Sequence, residues 1–191
     1  NLATNMTAAG TNGHQFRYWI TATNWVGGLT NTTAKLDFVM QSNLTLTVVF
    51  ADTNLPTLAL TNVTAGQRVS NALFTVKGRA ADNVGVSNVW FQLNSNGWTL
   101  AAITNGGSNW SAVVTLQPGT NRFEAYAQDA VANRSAVSNV SFIYVVSDTL
   151  RVAKVGQGTL TPNLAGALLP INLATNMTAA GTNGHQFRYW V

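Results

Sequence analysis

The feature that most constrains this chain is an exact internal repeat. Residues 1–19, NLATNMTAAGTNGHQFRYW, recur letter for letter as residues 172–190. A fold alone does not keep every position identical, because exposed positions tolerate many polar residues. An exact copy therefore indicates a tandem repeat that has recently been duplicated or homogenised. We expect the chain to be a window from a longer array, holding one full repeat and the first nineteen residues of the next.

Composition favours a β protein whose surface is polar but carries little charge. Charged residues make up 8% of the chain, against about 25% in an average globular protein, and Asn and Thr supply the missing polarity. Asn favours turns and strand ends over helices. Such a composition is typical of secreted β proteins, so we expect a secreted or cell-surface location. The chain has no cysteine, which excludes disulfides, thiolate metal sites and a cysteine nucleophile.

The distribution of charge argues against two classes of partner. Ten basic and six acidic residues give a formal net charge of +4, and the basic residues are scattered along the chain. A nucleic-acid-binding surface needs clustered Lys and Arg. No apolar run reaches the about 20 residues that a membrane-spanning helix requires. We therefore expect neither nucleic-acid binding nor membrane insertion.

Turn signals and period-two alternation divide the chain into three segments. Residues 1–52 contain predicted strands, including a hairpin between residues 35–41 and 44–50. In residues 148–191, strands are predicted at 150–155 and 159–162, before the second copy of the repeat. No segment shows a helical period over ten residues, so we expect an all-β fold.

The central segment, residues 53–147, has about seven short predicted strands separated by turn residues. These strands cover residues 58–62, 73–80, 86–93, 100–103, 110–116, 122–128 and 140–146. Their number, length and spacing predict a two-sheet antiparallel sandwich.

A spaced set of residues in this segment is similar to a known family. The set comprises Gly78, Asp82, Leu116, Gly119, Asn121, Phe123, Ala125, Ala127, Asp129 and Asn133. With these residues the segment resembles a bacterial Ig-like domain of the glucodextranase type, which implies an Ig-like antiparallel β-sandwich. Ala132 stands where such domains usually carry glycine, which argues against a turn with positive φ at that position.

The flanking segments resemble the two parts of a divergent internalin-type B-repeat, a small β module of large bacterial surface proteins. The later part is carried by Ala8, Gly13, Phe16, Trp19, Phe38, Met40, Ser42, Asn43, Val49 and Phe50, and the earlier part by Gly156, Gly158, Thr159 and Pro162. The resemblance implies a β-grasp-like fold with Phe16 and Trp19 in its core. Residues 1–52 would then be the C-terminal part of one module and residues 148–191 the N-terminal part of the next.

Few residues qualify for catalysis or metal binding. The acids lie in different strands and turns, and His14 and His185 are one repeat position seen twice, so we expect no enzyme, no cofactor and no required metal. Some acids nevertheless stand at module ends or turns, where oxygen ligands could collect around Ca²⁺. These weak candidates are Asp52, Asp82, Asp129 and Asp148. The alternative is that each acid caps its own turn.

Three tryptophans are candidates for surface contact. Trp90 is out of phase with the predicted core positions of its strand, whereas Trp110 alternates into the core. Trp25 and Trp98 stand in or beside predicted loops. Exposed tryptophan can stack on a sugar ring or pack against a neighbouring module.

Two functions from different classes fit these features. The preferred hypothesis is a structural repeat unit of an extracellular bacterial fibre, stalk or adhesin shaft, with adjacent copies of the same repeat as its partners. The copies would assemble head to tail through their β modules. The alternative is an accessory carbohydrate-binding module of a secreted polysaccharide-degrading enzyme, with Trp25, Trp90 and Trp98 as contact residues.

Overall fold

The computed structural model describes residues 3–23 and 28–191. These residues form β-strands and one 3₁₀ helix, Asn105–Gly107, which confirms the all-β prediction. No helix in the described ranges is long and apolar enough to cross a membrane.

The first segment contains five strands in two small sheets. They are β1 (Ala3–Thr7), β2 (His14–Ala22), β3 (Leu29–Asn31), β4 (Lys35–Val39) and β5 (Thr45–Asp52). β1 pairs with β4, and β2 lies between β3 and β5. The predicted hairpin between residues 35–41 and 44–50 is therefore wrong. Leu44 N does donate to Gln41 O in a turn, but β4 and β5 enter different sheets because β1 and β2 supply their partners.

A β-bulge brings the two large aromatic residues of the repeat onto one face of β2. Residues three positions apart in a regular strand point to opposite faces. The register between β2 and β5 shifts between Phe16 and Tyr18, and the rings of Phe16 and Trp19 meet with their centroids 6.1 Å apart. Trp19 is 3% exposed, and its Nε1 donates to Ala34 O at 3.2 Å. The implied core position of Trp19 is confirmed.

The central strands form a two-sheet sandwich. In chain order they are β6 (Thr57–Leu60), β7 (Arg68–Val69), β8 (Leu73–Ala81), β9 (Val86–Leu93), β10 (Thr99–Leu100), β11 (Ala102–Thr104), β12 (Asn109–Thr115), β13 (Gly119–Asp129) and β14 (Ser138–Tyr144). One sheet has the order β11-β12-β8-β6 and the other β10-β9-β13-β14-β7. The strands pair antiparallel except β14 and β7, which are parallel. This arrangement is the Ig-like sandwich that the strand spacing predicts.

One predicted strand of the sandwich crosses between the sheets. Residues 100–103 are divided between β10, which pairs with β9, and β11, which pairs with β12. Ala101 stands between the two short strands, and its N donates to Val89 O at 2.8 Å. The local sequence does not mark the switch, because residues 100–103 form one continuous apolar run, LAAI.

Alternation places the core residues as predicted. Phe123, Ala125 and Ala127 on β13 are fully buried, and Trp110 on β12 is 3% exposed. The Trp110 and Phe123 rings lie nearly parallel, with an interplanar angle of 4° and centroids 6.2 Å apart. Trp90 lies outside this core cluster, as its phase predicts.

The third segment has two further strand pairs. β15 (Ser147–Thr149) pairs with β17 (Leu168–Pro170), and β16 (Gly158–Thr161) pairs with β18 (Thr178–Gly181). β16 confirms the strand predicted at residues 159–162. The strand predicted at residues 150–155 is wrong, because residues 151–155 have no partner strand in the described part of the chain.

Candidate functional site

Three carboxylates converge where the first segment meets the sandwich. Asp52 ends β5, Asp82 follows β8, and Asp129 ends β13. One carboxylate oxygen of each residue lies within 4.8 Å of those of the other two. Asp52 is 8% exposed and Asp129 3% exposed. We call these three residues the aspartate cluster.

The fourth acid singled out in the sequence, Asp148, does not join the aspartate cluster. It lies in β15, is exposed, and accepts a hydrogen bond from Thr149 N at 2.7 Å through its own Oδ1. Asp148 is therefore an acidic residue outside the aspartate cluster, and it can serve as a control for the three residues within it.

Each cluster member caps its own turn, as the sequence suggests. The backbone donors are Asn54 N to Asp52 Oδ1, Val84 N and Gly85 N to Asp82 Oδ2, and Val131 N and Asn133 N to Asp129 Oδ1, at 2.8–3.1 Å. These bonds hold one oxygen of each carboxylate and orient the other. Asp52, Asp82 and Asp129 therefore cap their own turns and also lie close to one another.

Two asparagines link the cluster to the first segment. Asn83 Nδ2 donates to Asp52 Oδ1 at 3.2 Å and to Asn12 O, in the repeat, at 2.8 Å. Asn133 Nδ2 donates to Asp129 Oδ2 at 2.8 Å and to Asp52 O at 3.2 Å. No local sequence signal marks Asn83, because its partner Asp52 lies 31 positions away and is reached only when the segments dock.

The aspartate cluster contains two oxygens without a hydrogen-bond partner. They are Asp52 Oδ2 and Asp82 Oδ1, both inaccessible to solvent. The ion pairs of the described residues are Lys35–Asp37 and Arg122–Glu124, neither of which reaches the cluster. A buried charge without a partner is energetically costly. The cluster is therefore a set of oxygen donors suited to a cation.

The exact repeat adopts the same local turn in both copies. The φ angles are 50° and 53° at Asn12 and Asn183, and 81° at both Gly13 and Gly184. His14 N donates to Thr11 O, and His185 N to Thr182 O, both at 3.0 Å. The aromatic pair also recurs, since the Phe187 and Trp190 ring centroids lie 5.5 Å apart.

The two copies differ in what covers them. Trp19 is 3% exposed under β5, whereas its counterpart Trp190 is 53% exposed. Gly13 lies against the side chain of Asn54, whereas nothing lies within 4 Å of a Cβ placed on Gly184. The strand that covers the first copy, β5, comes from the residues that follow it in the chain.

The tryptophans chosen as contact residues lie in different settings. Trp90 is half-buried on the outer face of its sheet, and its Nε1 donates to Gln128 Oε1 at 3.3 Å. Trp98 is 39% exposed, and its ring meets Tyr126 nearly edge-on with centroids 4.7 Å apart. Trp25 lies outside the described residues.

Tyr126 is a buried residue that alternation alone misses. It is out of phase with the core positions of β13, yet it is only 8% exposed. Trp98 covers it from one side, and the Arg134 guanidinium carbon lies 5.2 Å from its ring centroid. Tyr126, Trp98 and Trp90 thus form an aromatic patch on the outer face of the sandwich.

A comparison with family models finds a match within the sandwich. Residues 56–125 match the family model of the bacterial Ig domain. The match runs from β6 into β13 and includes Asp82. The flanking segments lie outside it, so their resemblance to an internalin-type B-repeat stays a prediction.

Comparison with solved structures finds similarity to fibronectin(III)-like modules of Clostridium thermocellum CbhA. The identity is 16%, the alignment covers 46% of this chain and 96% of that chain, and the TM-score is 0.37. Comparison with curated protein sequences finds no match.

Proposed function

We propose that this chain is a repeat unit of an extracellular bacterial fibre, stalk or adhesin shaft, in which adjacent repeats complete each other's flanking β module. Ig-like modules are typically extracellular and generally non-catalytic, which supports a structural role. The observation that carries the proposal is that one exact sequence has different and compatible partners in its two copies.

In the first copy, the repeat pairs with residues that follow it. β1 pairs with β4 from Ala3↔Val39 to Thr7↔Lys35. Ala8 N extends this ladder by donating to Ala34 O at 3.0 Å. In the second copy, the repeat pairs with residues that precede it, because β18 pairs with β16 from Thr178↔Thr161 to Gly181↔Gly158.

These two sets of partners contact adjoining parts of the repeat, because residues 3–7 pair in the first copy and the equivalents of residues 7–10 pair in the second. In the second copy, Thr182 N donates to Gln157 O at 3.2 Å. The counterpart of Thr182 in the first copy is Thr11, which is three positions after Ala8. Backbone N–H groups alternate between the two edges of an extended strand, so residues an odd number apart point to opposite neighbours. One copy of the repeat can therefore lie between β16 of its own repeat and β4 of the next.

The second copy also leaves an apolar face open. Phe187 is 46% exposed and Trp190 53% exposed, and an adjacent cleft of about 620 Å³ runs between β16 and Tyr189. In the first copy, β5 covers the same face through the pairs Phe16↔Phe50 and Trp19↔Val48. The occupant we propose is therefore the β5 of a following repeat. The contact joins different surfaces of two repeats, so it propagates head to tail instead of closing a dimer.

Extending the chain after Trp190 with a second copy of residues 20–52 tests this proposal. The added strand should cover Trp190, shift tryptophan emission to shorter wavelength, and protect residues 148–191 from proteolysis. In a matched control, the Val48 equivalent in the added segment is replaced by Lys, which should prevent the shift. An extension that leaves emission and proteolysis unchanged would overturn the proposal.

The aromatic patch supports a second candidate function, carbohydrate binding. On the same outer face, Gln92 Nε2 donates to Glu124 Oε2 at 2.7 Å, directly beside the Trp90↔Tyr126 pair. Aromatic rings flanked by amide and carboxylate groups match the apolar faces and hydroxyls of sugars. Retardation of the chain in polysaccharide-containing gels, lost on Trp98→Ala, would support this function. Absence of retardation in every polysaccharide tested would count against it.

A further inference from the structure

We infer that Asp52, Asp82 and Asp129 bind a calcium ion at the junction between the first β segment and the Ig-like sandwich. The inference concerns a site within one chain, so it does not depend on whether repeats assemble into an array.

The geometry of the aspartate cluster fits a single ion. Ca²⁺ is held by oxygen ligands at about 2.3–2.6 Å, so two ligands of one ion lie at most about 5 Å apart. One oxygen from each of the three carboxylates satisfies this limit, because these oxygens lie within 4.8 Å of one another. The turn-capping bonds to the backbone hold each carboxylate in place before an ion arrives.

Burial provides an independent reason to expect a ligand. Asp52 is 8% exposed, and its Oδ2 has no hydrogen-bond partner. Asp82 Oδ1 is likewise buried and unpartnered. Buried polar groups in folded proteins are satisfied by protein, water or an ion. Three carboxylates with no Lys or Arg ion pair at the cluster are best satisfied by a cation.

The donor set selects the kind of cation. The cluster offers carboxylate oxygen atoms, and no His nitrogen or Cys sulfur belongs to it among the described residues. Carboxylate oxygen favours hard cations over zinc or copper. Mg²⁺ demands near-ideal octahedral geometry and keeps several waters, whereas Ca²⁺ accepts irregular shells of six to eight oxygens. Ligands drawn from three separate turns suit Ca²⁺.

The position of the site gives the ion a mechanical role. Asp52 belongs to the first segment, whereas Asp82 and Asp129 belong to opposite sheets of the sandwich. An ion held by all three would fix the two parts relative to each other. It would also fix the repeat turn, because Asn83 joins Asp52 to Asn12 O. Calcium would thus stiffen the chain at each module junction.

Titration of the 191-residue chain with CaCl₂, after removal of metal with EGTA, tests the inference. Calorimetry should show one Ca²⁺ bound per chain with a dissociation constant on the order of 10⁻⁴–10⁻³ M, as in other extracellular modules. The melting temperature should rise with added CaCl₂ and much less with equal MgCl₂. No binding heat together with equal melting temperatures in CaCl₂ and EGTA would overturn the inference.

Three single substitutions assign the site. Asp52→Asn and Asp82→Asn keep a turn-capping oxygen but remove a charged ligand, so each should weaken Ca²⁺ binding by about tenfold or more. Asp148→Asn, outside the cluster, should bind Ca²⁺ like the wild type. In EGTA, Asp52→Asn should melt no lower than the wild type, because it removes one of three unneutralised charges. Equal Ca²⁺ binding by Asp82→Asn and Asp148→Asn, with both folded by circular dichroism, would contradict the assignment.

Discussion

The indole of Trp110 lies directly on the backbone of Gly78. A Cβ added to Gly78 would lie 2.3 Å from Cε2 and Cζ2 of Trp110, and 2.3 Å from Ala59 O. The two residues are paired across β8 and β12. The large indole of Trp110 thus fits into the core because Gly78, its cross-strand partner, has no side chain.

Gly78→Ala should therefore destabilise the sandwich by about 3 kcal/mol, at the upper end for overpacked cores, because the added methyl group would overlap both the indole and the Ala59 carbonyl. The measurement is the free energy of unfolding in urea. Gly97→Ala is the matched control. Gly97 has φ 99° but no atom within 4 Å of an added Cβ, so this change should cost only about 1–2 kcal/mol. Equal costs for the two variants would contradict the steric explanation.

Trp110→Ala should lower the free energy of unfolding by about 3–5 kcal/mol, as removal of a large buried aromatic does. Trp90→Ala should cost much less, because Trp90 is half-buried outside the core and makes a hydrogen bond to Gln128. Chemical denaturation of both variants measures the difference. Equal shifts of the denaturation midpoint would show that the inside and outside faces of the sandwich are assigned wrongly.

Ala132→Gly should stabilise the protein by about 1 kcal/mol. Ala132 has φ 72°, a left-handed conformation that costs a residue with a Cβ about 1–2 kcal/mol and glycine almost nothing. The expectation from sequence that alanine argues against a positive φ here is wrong, because Asp129 fixes the turn by accepting from Val131 N and Asn133 N. A lower melting temperature for Ala132→Gly would refute this account.

Asn121→Ala should cost about 3 kcal/mol, because it leaves several buried groups without partners. Asn121 is fully buried; its Oδ1 accepts from Gln117 N and Asn94 Nδ2, and its Nδ2 donates to Gln117 O and Gly119 O. Asn139→Ala, at an exposed position of β14, is the matched control and should change stability by less than about 0.5 kcal/mol. Denaturation of both variants measures the two free energies of unfolding. Equal losses would contradict the role given to the buried hydrogen bonds of Asn121.

Much of the sandwich could be predicted from local pattern. Residues such as Phe123 and Trp110 alternate with polar neighbours, and a strand with one buried face must follow that period. The sequence also predicts the turn between β4 and β5. It does not predict that these strands pair with β1 and β2, because hydrogen-bond partners come from whichever strand docks alongside. The burial of Tyr126 is not predicted from the sequence for the same reason, because it depends on Trp98 and Arg134.

By itself the sequence determined most strands of the sandwich, their inward faces, and the turn within the repeat, which is the same in both copies because its causes are local. Only the tertiary structure decided which strand covers Trp19, since β5 lies more than 25 positions further along the chain and pairs with β2 through Trp19↔Val48. It also brought Asp52, Asp82 and Asp129 together and left Asp148 apart. All four acids look alike as turn residues, and their convergence depends on contacts between segments that no local spacing records.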